Sequence, residues 1–289
     1  MADESPRRTA RWAVSSQDVD KVRVDGVGSR GARPAPLVPP DIAAAQLELT
    51  GVTWNADEID LTLIRPRPVD QAVARFRAAL PDLVWNAAAL EGNTITLPEV
   101  QTLLDGVTIG GHRIEEVEQV RALGEGYELL IELVRSGTFR LNKETTDRLH
   151  AIVARSEAIE SGAFRGEGQV TGGGSVRLST GGVVDGVPQE ELPRRWTLLM
   201  DFLHDPSRVS DPRLRALLYN AAATRAQFYF DGNKRTARLM MVGELMSHGF
   251  DAVHIPFSRR LEFNVALDEL FRTDDATALM RFTASCAAK

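Results

Sequence analysis

From about residue 46 onward, apolar side chains recur at three- and four-residue spacing, the mark of helices with one buried face. Val73, Phe76, Leu80, Leu83, Val84 and Ala87 form the first clear stripe. Pro81 divides it, because proline fits the first turn of a helix and not its interior. The spacing therefore predicts two helices, the second ended by Gly92-Asn93, residue types that tolerate left-handed backbone. Thr96 is placed to cap a short helix, with Pro98 and Glu99 in its first turn. Further helices are expected over 114–136, 143–159, 190–204, 211–227, 234–248, 260–272 and 274–286. The stretch LELTGVTWNADEIDLTL has room for one or two short strands.

Two intervals break the helical pattern. Gly166 to Pro188 holds seven glycines before Gly186 and short valine-rich pieces. Glycine permits positive φ and β-branched residues favour extended chain, so a β-hairpin flap is expected there. Up to Pro40 the chain carries five prolines and no apolar period, which is linker chemistry. The expected organisation is a linker-like tail over 1–45, a helical region over 46–110 and a core domain over 111–289. The fold class is all-α with a small β-hairpin flap.

Charge and composition narrow the setting. The chain has 289 residues, 34 Lys+Arg against 40 Asp+Glu, and 43% hydrophobic residues. A net charge of −6 gives no hint of nucleic-acid binding. No apolar run approaches the ~18 residues of a membrane span, and the N-terminus lacks the apolar region of a secretory signal. The lone Cys286 excludes an internal disulfide framework. The expectation is a cytoplasmic protein without membrane or nucleic-acid partners. Trp12, Trp54, Trp85, Trp196 and the Met240-Met241 pair read as core, with Trp85 packing the helix that precedes Glu91.

The densest polar cluster runs from Gln227 to Arg238, QFYFDGNKRTAR. Leu214, Leu217, Leu218, Ala221 and Ala222 mark an apolar helix face before it. Ala237, Met240, Met241 and Leu245 mark another after it. Asp231-Gly232-Asn233 thus forms a tight turn at a helix N-terminus, where unpaired N–H groups and the positive dipole end suit phosphate. Lys234, Arg235 and Arg238 add three cations. Cations are disfavoured at that end of a helix, so their presence calls for an anion. Asp231 is a hard oxygen ligand, suited to Mg²⁺ carried by a nucleotide phosphate.

This cluster resembles the signature of Fic/Doc (Fido) proteins, His-x-Phe-x-Asp/Glu-Gly-Asn-Gly/Lys-Arg-x-x-Arg. Asp231, Gly232, Asn233, Arg235 and Arg238 match at their proper spacing. LEGNTITLPEV, from Leu90, resembles the family's inhibitory segment Ser/Thr-x-x-x-Glu-Gly-Asn. Gly162-Ala163-Phe164-Arg165 with the glycine-rich interval resembles its target-docking flap. The resemblance covers roughly residues 70–250 and implies AMP transfer from ATP with Mg²⁺ to a hydroxyl of a protein substrate docked at the 166–188 flap. It implies Asp231 as metal ligand, Gly232, Asn233 and Arg235 at the α/β-phosphates, and Arg238 at the γ-phosphate or paired with an inhibitory Glu91. A homodimer is left open.

Three departures qualify that carry-over. The position of the catalytic histidine holds Gln227, whose carboxamide accepts no proton near neutral pH. Loss of a positioned base costs ~10²–10⁴-fold in rate. Lys234 stands where AMP-transferring members have glycine and Doc-like phosphotransferases have lysine, so it is expected among the nucleotide-binding residues as a point charge. Ala87 replaces the Ser/Thr of the inhibitory motif, while Glu91 is kept. A degenerate adenylyltransferase, an inactive nucleotide- or protein-binding module, a phosphotransferase and an AMP-removing enzyme all remain open.

Overall fold

The computed structural model, which describes residues 38–287, is built from helices in the order α1 (Pro40–Thr50), α2 (Val69–Ala78), α3 (Leu80–Leu90), α4 (Leu97–Leu104), α5 (Ile114–Arg135) and α6 (Lys143–Val153). A hairpin of β1 (Ser175–Arg177) and β2 (Val183–Asp185) follows. The chain then returns to helix with α7 (Leu192–His204), α8 (Pro212–Ala226), α9 (Asn233–Ser247), α10 (Arg260–Thr273) and α11 (Thr277–Ser285). The fold is mainly helical with one small two-stranded antiparallel sheet, as the periodicity indicates.

Helices α8 and α9 flank the polar cluster and pack on each other at the centre. α9 also meets α2, α5 and α6, and α8 meets α7, α10 and α11. Nearly every residue from Ala216 to Ala226 and from Asn233 to Met246 is buried. A helix covered on all sides needs apolar or small residues all round rather than in one stripe. That explains the alanine run Ala221-Ala222-Ala223 and the single glycine Gly243. One cluster of buried side chains runs from Val52 to Cys286, so the regions 46–110 and 111–289 share a core. Thr53 pairs with Asp275 through backbone bonds of 2.8 Å, tying the start of the described chain to its end.

Pro81 does lie in the first turn of α3, with Ala79 between it and α2. Thr96 precedes α4, and the Glu99 carboxylate accepts from its backbone N–H at 2.9 Å and its hydroxyl at 2.7 Å. Trp85 packs edge-on against Phe257, as expected of the helix that carries Glu91. Three expectations change. Of the tail read over 1–45, residues 1–37 lie outside the described residues, as does Trp12, and 40–45 belong to α1. Pro40 starts that helix, and Gly51 at φ +81° ends it. The strands considered over residues 47–63 are the end of α1 and two 3₁₀ turns, whose N–H groups are taken up by Asn55 and Asp60 side chains. α6 stops at Val153 instead of 159, and the turns after it bring Glu157 to the central helix pair.

Gly243 lets Phe139 lie against α9. A Cβ there would sit 2.2 Å from Phe139 Cε2 and 2.8 Å from Leu130 Cδ1. Gly243→Ala should therefore lower stability by about 1–3 kcal/mol through overpacking. That loss would outweigh the ~1 kcal/mol that alanine gains in helix propensity. Denaturant unfolding checks the sign, and a stabilised variant would mean that the α9 surface is not closely packed there.

Candidate functional site

The turn between α8 and α9 is shaped by residues that cannot easily be exchanged. α8 ends at Gln227, in left-handed backbone at φ +55°. Gly232, at φ +71°, precedes α9, and a Cβ on it would lie 2.7 Å from Ala154 Cβ. The Asn233 side chain staples the turn: it accepts from Tyr229 N at 2.9 Å and donates to Tyr229 O at 2.8 Å and Gln227 Oε1 at 3.1 Å. Asn233 therefore offers a phosphate its backbone N–H and not its carboxamide. The N–H groups of Asn233, Lys234 and Arg235 lie in the first helical turn, where no earlier helical carbonyl takes them.

His150, fully buried on α6, supports the turn from behind. Its ring stacks on Tyr229 at 3.7 Å. Nδ1 accepts from Gly162 N at 2.8 Å, which leaves Nε2–H to donate to the Asp231 carbonyl at 2.8 Å. Burial pushes this imidazole down to about 4, the bond to Asp231 opposing that shift only in part. A neutral His150 is part of the folded turn. No histidine stands in the motif, and the one that the fold brings to it lies under the backbone.

Each motif cation meets a carboxylate. Glu91 caps α3, and its Oε1 lies 3.2 Å from Arg238 while its Oε2 lies 2.9 Å from Lys234. The expected Glu91–Arg238 pair is present, and Lys234 is a second partner that sequence spacing did not single out. Burial would push the Glu91 carboxyl up, but Lys234, Arg238 and Arg235 outweigh it and hold it well below the usual carboxylate range. Arg235, which lines the same cleft as Asp231 and Lys234, is engaged by the chain itself. It makes a two-pronged pair with Glu157 at 2.5 and 2.8 Å, donates to Val153 O at 3.1 Å, and lies 3.5 Å from Asp231. Glu157 also accepts from Gln119, which accepts from Asn93 at 2.8 Å. The end of α3 is thus joined to α9 by two routes, one through Glu91 and one through Asn93.

Glu91, Arg177, Gln227, Asp231 and Lys234 line a cleft of about 270 Å³ under the hairpin. A larger groove of about 390 Å³, between α10 and α11, presents mainly apolar surface and contains none of the motif residues. Gln227 donates to Thr224 O at 2.6 Å and accepts from Asn233, so its carboxamide is occupied at both ends. The Asp231 side chain is 60% exposed, with one oxygen on its own Gly232 N–H. Among the described residues no three His, Cys, Asp or Glu side chains gather to hold a metal. A cation here has one protein carboxylate, which suits a Mg²⁺ that keeps its waters and arrives on phosphates.

Sequence reading gave no role in the turn to His150, Glu157, Gln119 or Arg165. The Arg165 guanidinium, 3% exposed, donates to the carbonyls of Gln227 (2.7 Å), Gly173 (2.8 Å) and Val187 (2.6 Å). It joins the turn to the base of the hairpin. Its only sequence signal is its place in GAFR, ahead of the glycine-rich interval.

No family model matches the chain. Protein adenylyltransferase fic-1 of Caenorhabditis elegans is 25% identical over 188 residues, 64% of this chain and 35% of that protein. Protein adenylyltransferase Fic of Drosophila ananassae is 26% identical over 211 residues, 71% of this chain and 40% of that protein. The chain thus spans well under half the length of these curated relatives. Among solved structures, a Fic-domain-containing signalling protein of Bacteroides thetaiotaomicron superposes with TM-score 0.63 at 22% identity, over 78% of this chain and 88% of that one. A fragment of C. elegans Fic-1 gives 0.61 at 25% identity, over 75% and 62%. Among the described residues no helix is long and apolar enough to cross a membrane.

The buried neutral His150 makes stability pH-dependent. Its folded value lies below the ordinary 6.5, so the unfolded chain takes up the proton first. Its contribution is complete above about 6.5 and is lost as pH falls toward 4, by up to roughly 3 kcal/mol. Wild type should lose more stability between pH 7 and pH 4 than His150→Gln, which cannot titrate. Parallel pH profiles would show that the imidazole is not held neutral.

Proposed function

Because the chain belongs to the Fic/Fido family, we propose that it is a Fic-type adenylyltransferase domain in degenerate form. It binds ATP with Mg²⁺ at Asp231–Arg238, is held shut by Glu91, and lacks the base that its relatives' AMP transfer requires. The observation that carries this reading is the Glu91 carboxylate between Lys234 and Arg238, at the N-terminus of α9. A protein anion there occupies the place that the helix end and its cations offer to phosphate.

The roles follow from the contacts. First-turn N–H groups of α9 receive phosphate oxygens. Lys234 and Arg238 neutralise further charge once Glu91 leaves, and Arg238 (10% exposed) does so in a drier place than Lys234 (37%). Asp231 would hold Mg²⁺, which when bound screens the phosphates and polarises them toward attack. The acceptor is a hydroxyl of a protein docked at the 166–188 flap. Gln227 lies where that hydroxyl must lose its proton, and a carboxamide already bonded at both ends takes none. This last point favours a second reading, nucleotide binding without turnover.

The latch is tested by nucleotide affinity. Breaking a charge-assisted bond worth ~1.5–3 kcal/mol changes affinity by ~10–100-fold. Glu91→Gly should therefore bind ATP ~10–100-fold more tightly, and ADP much less so, since ADP lacks the γ-phosphate that needs Arg238. Calorimetry with Mg²⁺ reads both, and equal gains, or none, would leave Glu91 a plain helix-end acid.

Catalysis is tested separately. Histidine accepts the left-handed backbone of position 227 more readily than most residues. In the Glu91→Gly background, Gln227→His should raise transfer of α-label from ATP to protein by ~10²-fold or more. An unchanged rate would place the block elsewhere, at Lys234 or at the hairpin over residue 227.

A further inference from the structure

The hairpin above the cleft is fixed at both ends. At its base, Arg165 grips the carbonyls of Gln227, Gly173 and Val187, Gly186 N donates to Gly174 O at 2.9 Å, and Val187 N donates to Ala226 O at 3.0 Å. At its tip, Asp268 on α10 accepts from the N–H and hydroxyl of Ser179 at 3.0 and 2.7 Å. It accepts from those of Thr180 at 2.9 and 2.8 Å. These four bonds also hold the buried carboxyl of Asp268 below its ordinary range against burial, so it stays a charged acceptor. A short hairpin tied in this way is part of the wall and not a free loop.

Arg177 sits on β1 between these anchors, two residues before the tip contact, and lines the cleft together with Lys234 and Asp231. Its cross-strand neighbour is the neutral, exposed Val183. Lys234, Arg235 and Arg238 each have a carboxylate partner, whereas the Arg177 side chain, beyond its backbone's place in the hairpin, has no hydrogen-bond or ion-pair partner among the described residues. The cleft therefore carries an uncompensated cation on the wall opposite α9. Its position is set by bonds that do not involve its own side chain.

We propose that Arg177 binds the polyphosphate chain of the nucleotide from the hairpin side, as a fourth cation facing those of α9. The proposal rests on the reading of Asp231–Arg238 as a nucleotide site. An arginine suits the task because its planar fork pairs with two phosphate oxygens at once. With Glu91 in place, Lys234 and Arg238 are already occupied, so Arg177 is the cation that first meets an incoming phosphate. This also makes Asp268 a positioning residue: it touches no ligand and fixes the strand that carries Arg177.

The test is calorimetry of ATP and of inorganic triphosphate, each with Mg²⁺, in the Glu91→Gly background. Arg177→Ala should weaken both ligands about tenfold, the effect of one charge-assisted contact. Arg177→Lys, which keeps the charge and loses the fork, should retain part of that affinity. Asp268→Asn should weaken both ligands less than Arg177→Ala does. Arg177→Ala should also show a shallower dependence of affinity on salt, a readout that a merely structural role would not move. Because Arg177 is exposed, its variants should unfold at the same temperature as the parent.

Equal affinity of Arg177→Ala and the parent for ATP would overturn the proposal while leaving the nucleotide site intact. A loss with ATP but none with triphosphate would also overturn it, because the contact would then be to the nucleoside. If the Glu91→Gly parent binds neither ligand, the nucleotide-site reading falls and this inference with it.

Discussion

The Glu91 carboxylate and the cations of α9 make sense only as a pair. An acid at a helix C-terminus faces the negative end of the dipole, and a Lys-Arg run at a helix N-terminus faces the positive end. Each is misplaced by itself. α3 and α9 are set so that the misplaced charges meet at 2.9 and 3.2 Å, and each helix end supplies what the other lacks. The Lys234 contact is shorter and partly exposed, and the Arg238 contact is longer and nearly buried, so water screens the first more than the second. An anion arriving at this helix end would meet cations that already hold a carboxylate.

The rest of the turn is held by hydrogen bonds without opposed charges. His150, Asn233 and Arg165 fix the backbone of residues 227–233 by bonding carbonyls and N–H groups. Arg165 is the costly member, because a guanidinium 3% exposed is surrounded by carbonyls and paired with no carboxylate. That burial pushes its ionisation down is the same fact seen from the charge. Its several bonds to backbone offset the desolvation, and they lock turn and hairpin into one body. The cleft wall is therefore preorganised before any ligand arrives, which limits what binding must spend on ordering.

The helices were legible because burial on one side leaves a three-to-four-residue period in the sequence. The hairpin was legible from its glycines and valines. The Glu91–Arg238 pair came from the family resemblance and not from periodicity. Glu157 was not legible: it lies 78 residues from Arg235, in turns that the period had assigned to a longer helix. His150 lies outside the motif, 81 residues from the Asp231 carbonyl it bonds, and nothing local in the sequence ties the two together. The three cations were read as calling for an anion, and the structure sets a carboxylate against each of them. What sequence could not decide was that the chain itself supplies it, through Glu91 and Glu157, since both answers satisfy the same local electrostatics.

Position 227 shows how one residue is held by the turn that it helps to shape. Gln227 holds left-handed backbone at the end of α8, bonds Thr224 O, and accepts from the asparagine that staples the turn. The hairpin passes so close that a Cβ on Gly186 would lie 2.6 Å from Gln227 Cβ. The residue is therefore a structural part of the turn whatever its chemistry. A carboxamide fills this place well because it can donate and accept at once without changing charge. A group that must alternate between base and acid cannot keep both bonds through its cycle. The contacts that make glutamine fit at 227 thus belong to the turn itself, and they are separate from the ion pairs that Glu91 makes with Lys234 and Arg238.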